Sequence, residues 1–139
     1  MILLGGVAAG GDDAGRVWSF DPVTQRWLDQ GDDGPGAFWG IAAASTPEGT
    51  VIAIGGGGLM VTETGAGTIT EVGLSPEVWL GSNGAWRQAP DLEGPVAAGC
   101  ATFDAAAGRL VALLWNSTGL FDPAGGTWEW IEPPADEQG

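Results

Sequence analysis

The sequence predicts an all-β chain of about eleven short antiparallel strands, grouped into three units of a repeated four-strand pattern. Three observations lead there. No stretch of ten residues holds a convincing helical apolar period. Short apolar runs of strand length are bounded by clusters of Gly, Pro, Asn and Asp. One spacing, an aromatic residue followed after six residues by Trp, occurs three times: Phe20 with Trp27, Trp79 with Trp86, and Phe121 with Trp128.

The elements follow in order. Ile2-Leu3-Leu4 reads as a strand ending at Gly5-Gly6, and Val17-Trp18-Ser19-Phe20 alternates at strand period. Asp21-Pro22 then opens a turn, with Asp capping it and Pro presetting φ for the next position. In the second unit, Trp39–Ala44 leads through Thr46-Pro47-Glu48-Gly49 to Val51–Ile54, which ends at Gly55-Gly56. Its closing hairpin turns at Asn83-Gly84, the strongest short-range hairpin signal. In the third, Val96–Phe103 leads through Asp104–Gly108 to Leu110–Leu114, and the last hairpin turns at Ala124-Gly125-Gly126. Between the second and third strands of the middle unit, Val61–Thr64 and Thr68–Val72 flank Gly65-Ala66-Gly67 and read as an inserted hairpin. The expected single domain therefore holds units at about 1–30 (lacking a first strand), 37–88 with the insert at 57–76, and 95–131, then an acidic tail at 132–139.

The tryptophans Trp27, Trp86 and Trp128 are 59 and 42 residues apart, an interval in the range of propeller blades rather than helical solenoids. A small-apolar strand, a turn, an apolar strand ending in Gly-Gly, then aromatic-Asp-Pro-x4-Trp resembles the kelch repeat over nearly the whole chain. The third copy departs by carrying Trp115-Asn116 where Gly-Gly belongs, and Phe or Trp stands where Tyr is common. The resemblance implies a kelch-type β-propeller segment of about three four-stranded blades. It gives Gly5, Gly6, Gly55 and Gly56, and the aromatics Phe20, Trp27, Trp79, Trp86, Phe121 and Trp128, an architectural role: glycines allow bends and close strand approach, and aromatics fill the wedge between blades. Propellers take about four to eight blades, so one copy does not close a ring. The expectation is a larger parent chain or self-association, the first preferred, with other propeller blades as partners.

Composition narrows function. Four Arg and no Lys or His stand against 18 Asp and Glu, for a formal net charge of −14. Such a chain cannot neutralise phosphates, so no nucleic acid is expected as partner, and anionic membrane surfaces repel it. No apolar run approaches the roughly 20 residues of a membrane span, and Met1–Gly6 lacks the positive region of a secretory signal. A soluble protein of undetermined compartment is expected. Without His, Lys or Tyr, the usual general bases and Schiff-base amines are missing, and the chain is not expected to be an enzyme. Some kelch-type propellers are radical copper oxidases, but those need Tyr and His. A carboxylate pair for glycoside hydrolysis is conceivable, yet no spacing selects one. Cys100 lies in an apolar stretch and is expected to be a buried structural thiol.

Strand parity assigns connections to two ends. Short turns fall on one; the long connections Gly6–Arg16, Leu28–Ala37, Gly57–Pro76 and Gln88–Gly94 fall on the other, where binding concentrates. Candidate binding residues there are Asp12, Asp13, Asp32, Asp33, Asp91 and Glu93, with Trp39 entering the next strand. An aromatic at Trp39 could stack on a sugar or a peptide side chain. No cofactor is expected and no metal is assigned; Ca²⁺ is the cation such carboxylates would suit, but the spaced ligands of an EF-hand are absent. The function expected is a non-catalytic kelch-repeat interaction module binding a protein or glycan through the long-loop face. The alternatives are a substrate-positioning segment of a larger propeller enzyme, carbohydrate-active or oxidase-like, or a Ca²⁺-binding fragment.

Overall fold

A computed structural model describes residues 2–4, 16–31, 33–36, 40–64, 67–92, 98–114 and 117–132, and its regular structure is entirely β. The first sheet is a three-stranded antiparallel meander of β1 (Ile2–Leu3), β2 (Trp18–Asp21) and β3 (Arg26–Asp29). The second begins with β4 (Ala42–Ser45) and β5 (Val51–Ile54). The chain then leaves it to form a separate hairpin, β6 (Gly57–Thr64) with β7 (Gly67–Leu74), and returns as β8 (Val78–Ser82) and β9 (Ala85–Ala89). The third sheet is a four-stranded meander of β10 (Ala98–Asp104), β11 (Arg109–Leu114), β12 (Thr118–Asp122) and β13 (Thr127–Ile131). Three, four and four strands plus an inserted hairpin match the strand plan read from the sequence.

The turns hold these meanders through local side-chain chemistry. Three have the same construction: an Asp closes one strand and four residues separate it from its partner on the next. Asp21 Oδ1 accepts the Val23 amide at 2.9 Å, Asp122 Oδ1 the Ala124 amide at 2.9 Å, and Asp104 Oδ1 those of Ala106 and Ala107 at 2.9 and 3.1 Å. The fourth turn residue has positive φ each time: Gln25 at 55°, Gly108 at 66° and Gly126 at 64°. Asn83 and Gly84 have φ of 52° and 81°, the two positive values a type I′ turn requires. That turn has two residues where the Asp turns have four, which shifts the pairing. Phe20 lies opposite Trp27 and Phe121 opposite Trp128, whereas Trp86 lies opposite Gly81 and Trp79 opposite Gln88. The shared spacing therefore sets the two aromatics opposite each other in the first and third sheets and not in the second.

The second and third sheets pack face to face. Ala42, Ile52, Ile54, Val78, Leu80 and Ala89 from one form a single buried cluster with Leu110, Ala112, Leu114 and Phe121 from the other, joined by Leu92. Each fully buried Ile or Leu contributes about 1.5–3 kcal/mol. Strand alternation places the apolar side chains of β5, β8, β11 and β12 on the facing surfaces. The two sheets come nearest at β4 and β10, whose Cα atoms lie within 8 Å. Cys100 points the other way: on β10 it pairs with Leu113, and both are exposed on the outward face of the third sheet. The buried thiol expected from its apolar surroundings is an exposed one, because alternation turns every second residue away from the core.

The first sheet meets the second through Trp86. A Cβ built on Gly34 would lie 2.8 Å from Val17 and 3.2 Å from the Trp86 ring, so the chain after β3 threads tightly between them. Gln30 Nε2 bonds Ser19 Oγ at 3.0 Å, and its Oε1 abuts Gly84. The Gln30 end of the first sheet, assigned by parity to the long-connection end, thus sits against a short turn of the second. Among the described residues no helix is long and apolar enough to cross a membrane.

Candidate functional site

The long-connection end of the second sheet is organised around Gly55-Gly56. Their φ values of 62° and 115° swing the chain out of β5 into β6, a path closed to most other residues. The base of the excursion is fastened by backbone bonds: the Gly55 amide donates to Glu77 O at 3.0 Å and the Ser75 amide to Gly56 O at 2.9 Å. Leu92, buried in the core, donates its amide to Pro76 O at 2.8 Å, which ties the connection after β9 beneath the same base. From this platform β6 and β7 extend with eight paired positions, Gly57 with Leu74 through Thr64 with Gly67. Eight residues of antiparallel strand span about 27 Å.

Three carboxylates near these connections, Glu77, Asp91 and Asp29, have local structural partners. Glu77 Oε2 accepts the Trp79 indole N–H at 2.8 Å, fixing a partly buried ring. Asp91 Oδ1 accepts Gln88 Nε2 at 3.0 Å. Asp29 caps the Gly31 amide at 2.9 Å and pairs with Arg16 at 2.8 Å. Asp33 is exposed beside the tightly packed Gly34 and buried Pro35. Of the candidate binding residues, Asp33 and Asp91 are thus placed on separate connections; Asp12, Asp13, Asp32, Trp39 and Glu93 lie outside the described residues, as do Gly5 and Gly6. Among the described residues no three carboxylate or thiol side chains gather as a cation cage.

A recess lies elsewhere. A cavity of about 390 Å³ opens between the second and third sheets at the short-turn end, lined by Thr46, Pro47, Leu80, Arg87, Phe103 and Pro123, among others. Three turns, Thr46–Thr50, Asp104–Arg109 and Asp122–Thr127, meet there. Loop length alone misses it, because the space comes from the divergence of two sheets. Parity, which puts these turns on one end, is the signal that could have found it. The Arg87 guanidinium forms no ion pair among the described residues.

No family model and no curated protein sequence matches the chain. Among solved structures, one described as "Structure of YjhT" is similar with a TM-score of 0.46 and 16% identity, covering 90% of this chain. The chain spans about half that protein's length, 51% of it.

Proposed function

We propose that the chain is a segment of a kelch-type β-propeller, its three sheets serving as blades, and that it acts as a non-catalytic interaction module. The blade reading is supported by the meander order of each sheet, by the face-to-face packing of the second and third, and by the approach of their first strands, β4 and β10. The partner, a protein or a glycan, is met at the long-connection end. The observation that carries this is the β6–β7 hairpin, which leaves the second sheet at the end opposite its short turns and pairs only with itself among the described strands. A scaffold that holds the base of such a ribbon through Gly55, Ser75 and Leu92 offers its backbone edges to a partner.

The test replaces residues 58–73 by a short Gly-Ser turn. Peptide-display and glycan-array selections against the intact chain are repeated on this variant, with circular dichroism confirming its β content. Binders should be lost with the hairpin. Binders retained at full strength by a folded variant would overturn the assignment.

A further inference from the structure

Several ionic side chains at the short-turn end are already engaged. Asp104 and Asp122 accept backbone amides of their own turns, and Arg109 is paired with Glu129 at 2.7 Å. Two charged groups lining the recess of about 390 Å³ between the second and third sheets differ from these. The Arg87 guanidinium and the Glu48 carboxylate form no ion pair, with each other or with any other described residue.

The backbone under each charge is held. Arg87 lies opposite Leu80 across β8 and β9, and Leu80 belongs to the buried cluster between the sheets, so strand pairing sets Arg87 on the edge of that same face. Glu48 sits on a turn closed by its own bonds: the Thr46 amide donates to Thr50 O at 2.8 Å, the Gly49 amide to Thr46 O at 3.0 Å, and the Thr50 amide to Thr46 Oγ1 at 3.3 Å. Leu80, Phe103, Pro47 and Pro123 supply apolar walls to the same recess; Leu80 is buried and Phe103 partly so.

Two unpaired charges of opposite sign beside apolar walls are complementary to a molecule that carries the reverse arrangement. We propose that this recess binds a small zwitterion with an apolar body, of the class of a free apolar α-amino acid, its carboxylate on Arg87 and its ammonium on Glu48. A guanidinium offers a carboxylate two parallel N–H donors, and the Glu48 carboxylate accepts from the ammonium. A volume of about 390 Å³ lies in the range of small-molecule sites. Net charge bears on the choice of ligand. The field of a chain of net charge −14 opposes an anion, and a cation would leave Arg87 facing it unpaired; a zwitterion is neutral overall and meets both groups. This site lies at the end of the second sheet opposite the hairpin, and it does not depend on what the hairpin binds.

The test is an NMR titration of the isotope-labelled full chain with L-phenylalanine, N-acetyl-L-phenylalanine and L-phenylalaninamide. L-Phenylalanine should give saturable shifts around Leu80, Arg87 and Phe103, with a Kd of about 1 mM. Removing either ligand charge should weaken binding by about tenfold. In Glu48→Gln the free amino acid and its N-acetyl derivative should bind alike, and in Arg87→Gln the free amino acid and its amide should bind alike. Both substitutions are at exposed positions, and circular dichroism checks that the variants fold. The wild-type comparison of the three ligands needs no variant at all. Absence of saturable shifts at about ten times the expected Kd, equal binding of all three ligands by the wild type, or folded variants that discriminate among them as the wild type does would each overturn the proposal.

Discussion

Gly81 lies directly opposite Trp86 across β8 and β9, and the indole rests so closely on it that a Cβ at position 81 would stand 2.7 Å from three ring carbons. The same ring also closes on Gly34, which restricts how far it can shift. Gly81→Ala is therefore expected to destabilise the fold by about 1–3 kcal/mol through overpacking. Urea unfolding checks the size. In a Trp86→Leu background the cost should shrink markedly, and an unchanged cost there would assign it to the backbone instead.

Asp21 gives a pH-dependent expectation. The Thr24 hydroxyl, donating at 2.6 Å, and then the Val23 amide hold its carboxyl below the ordinary value of 3.8. A depressed folded value means that the contribution is present above the ordinary value and is lost as pH falls through the folded one. Asp21→Asn should therefore melt below wild type at neutral pH, with the gap closing below about pH 4. Melting curves of both proteins on the acid limb measure this. A gap that stays constant there would show that the carboxylate charge plays no part.

Gln25 occupies the left-handed position that its counterparts fill with Gly108 and Gly126. Left-handed backbone costs a non-glycine residue about 1–2 kcal/mol, while glycine loses roughly 0.5–1 kcal/mol more conformational entropy on folding. Gln25→Gly should come out between neutral and about 1 kcal/mol stabilising. Gly108→Ala, where a Cβ meets nothing within 4 Å, should lose about 1 kcal/mol from the backbone alone. Chemical denaturation of both variants decides the matter, and a destabilised Gln25→Gly would count against it.

Local chemistry made most of the strand plan legible. Asp-x-x-x turns, Asn83-Gly84 and Gly55-Gly56 each impose a backbone path that no distant contact needs to complete, so their hairpins were readable. The common aromatic–Trp spacing does not fix one register, because a fixed count of residues corresponds to cross-strand pairing only when turn length is fixed, and Trp79 lies opposite Gln88. Cys100 was misread because an apolar neighbourhood in sequence does not say which side of a strand is covered. The displacement of the first sheet, with Gln30 against Gly84, and the recess at Arg87 and Phe103 arise from how sheets sit together. Neither has a local sequence signature. At the candidate site, the Gly55-Gly56 exit and the inserted hairpin were legible, but the structural uses of Glu77 and Asp91 were not, since each depends on a partner set by the fold.

Trp128 tests how much of the sheet–sheet wedge is shape rather than polarity. Its ring packs on Phe121 at 4.9 Å and stacks on Trp130 at 5.5 Å, and it closes on Gly119. Its Nε1–H, however, is buried without a hydrogen-bond partner among the described residues. An unpaired buried donor costs about 1–3 kcal/mol, a cost that the ring's packing must offset. Trp128→Phe removes the donor and retains part of the packing, so the two effects partly cancel and the net loss should be below about 1.5 kcal/mol. Trp128→Ala also removes the donor but abandons the contacts with Phe121 and Trp130, and should lose about 3 kcal/mol or more. Equilibrium unfolding of the pair reads the difference directly. If Phe proves nearly as damaging as Ala, the indole is held by a polar interaction and the shape account of this position is wrong.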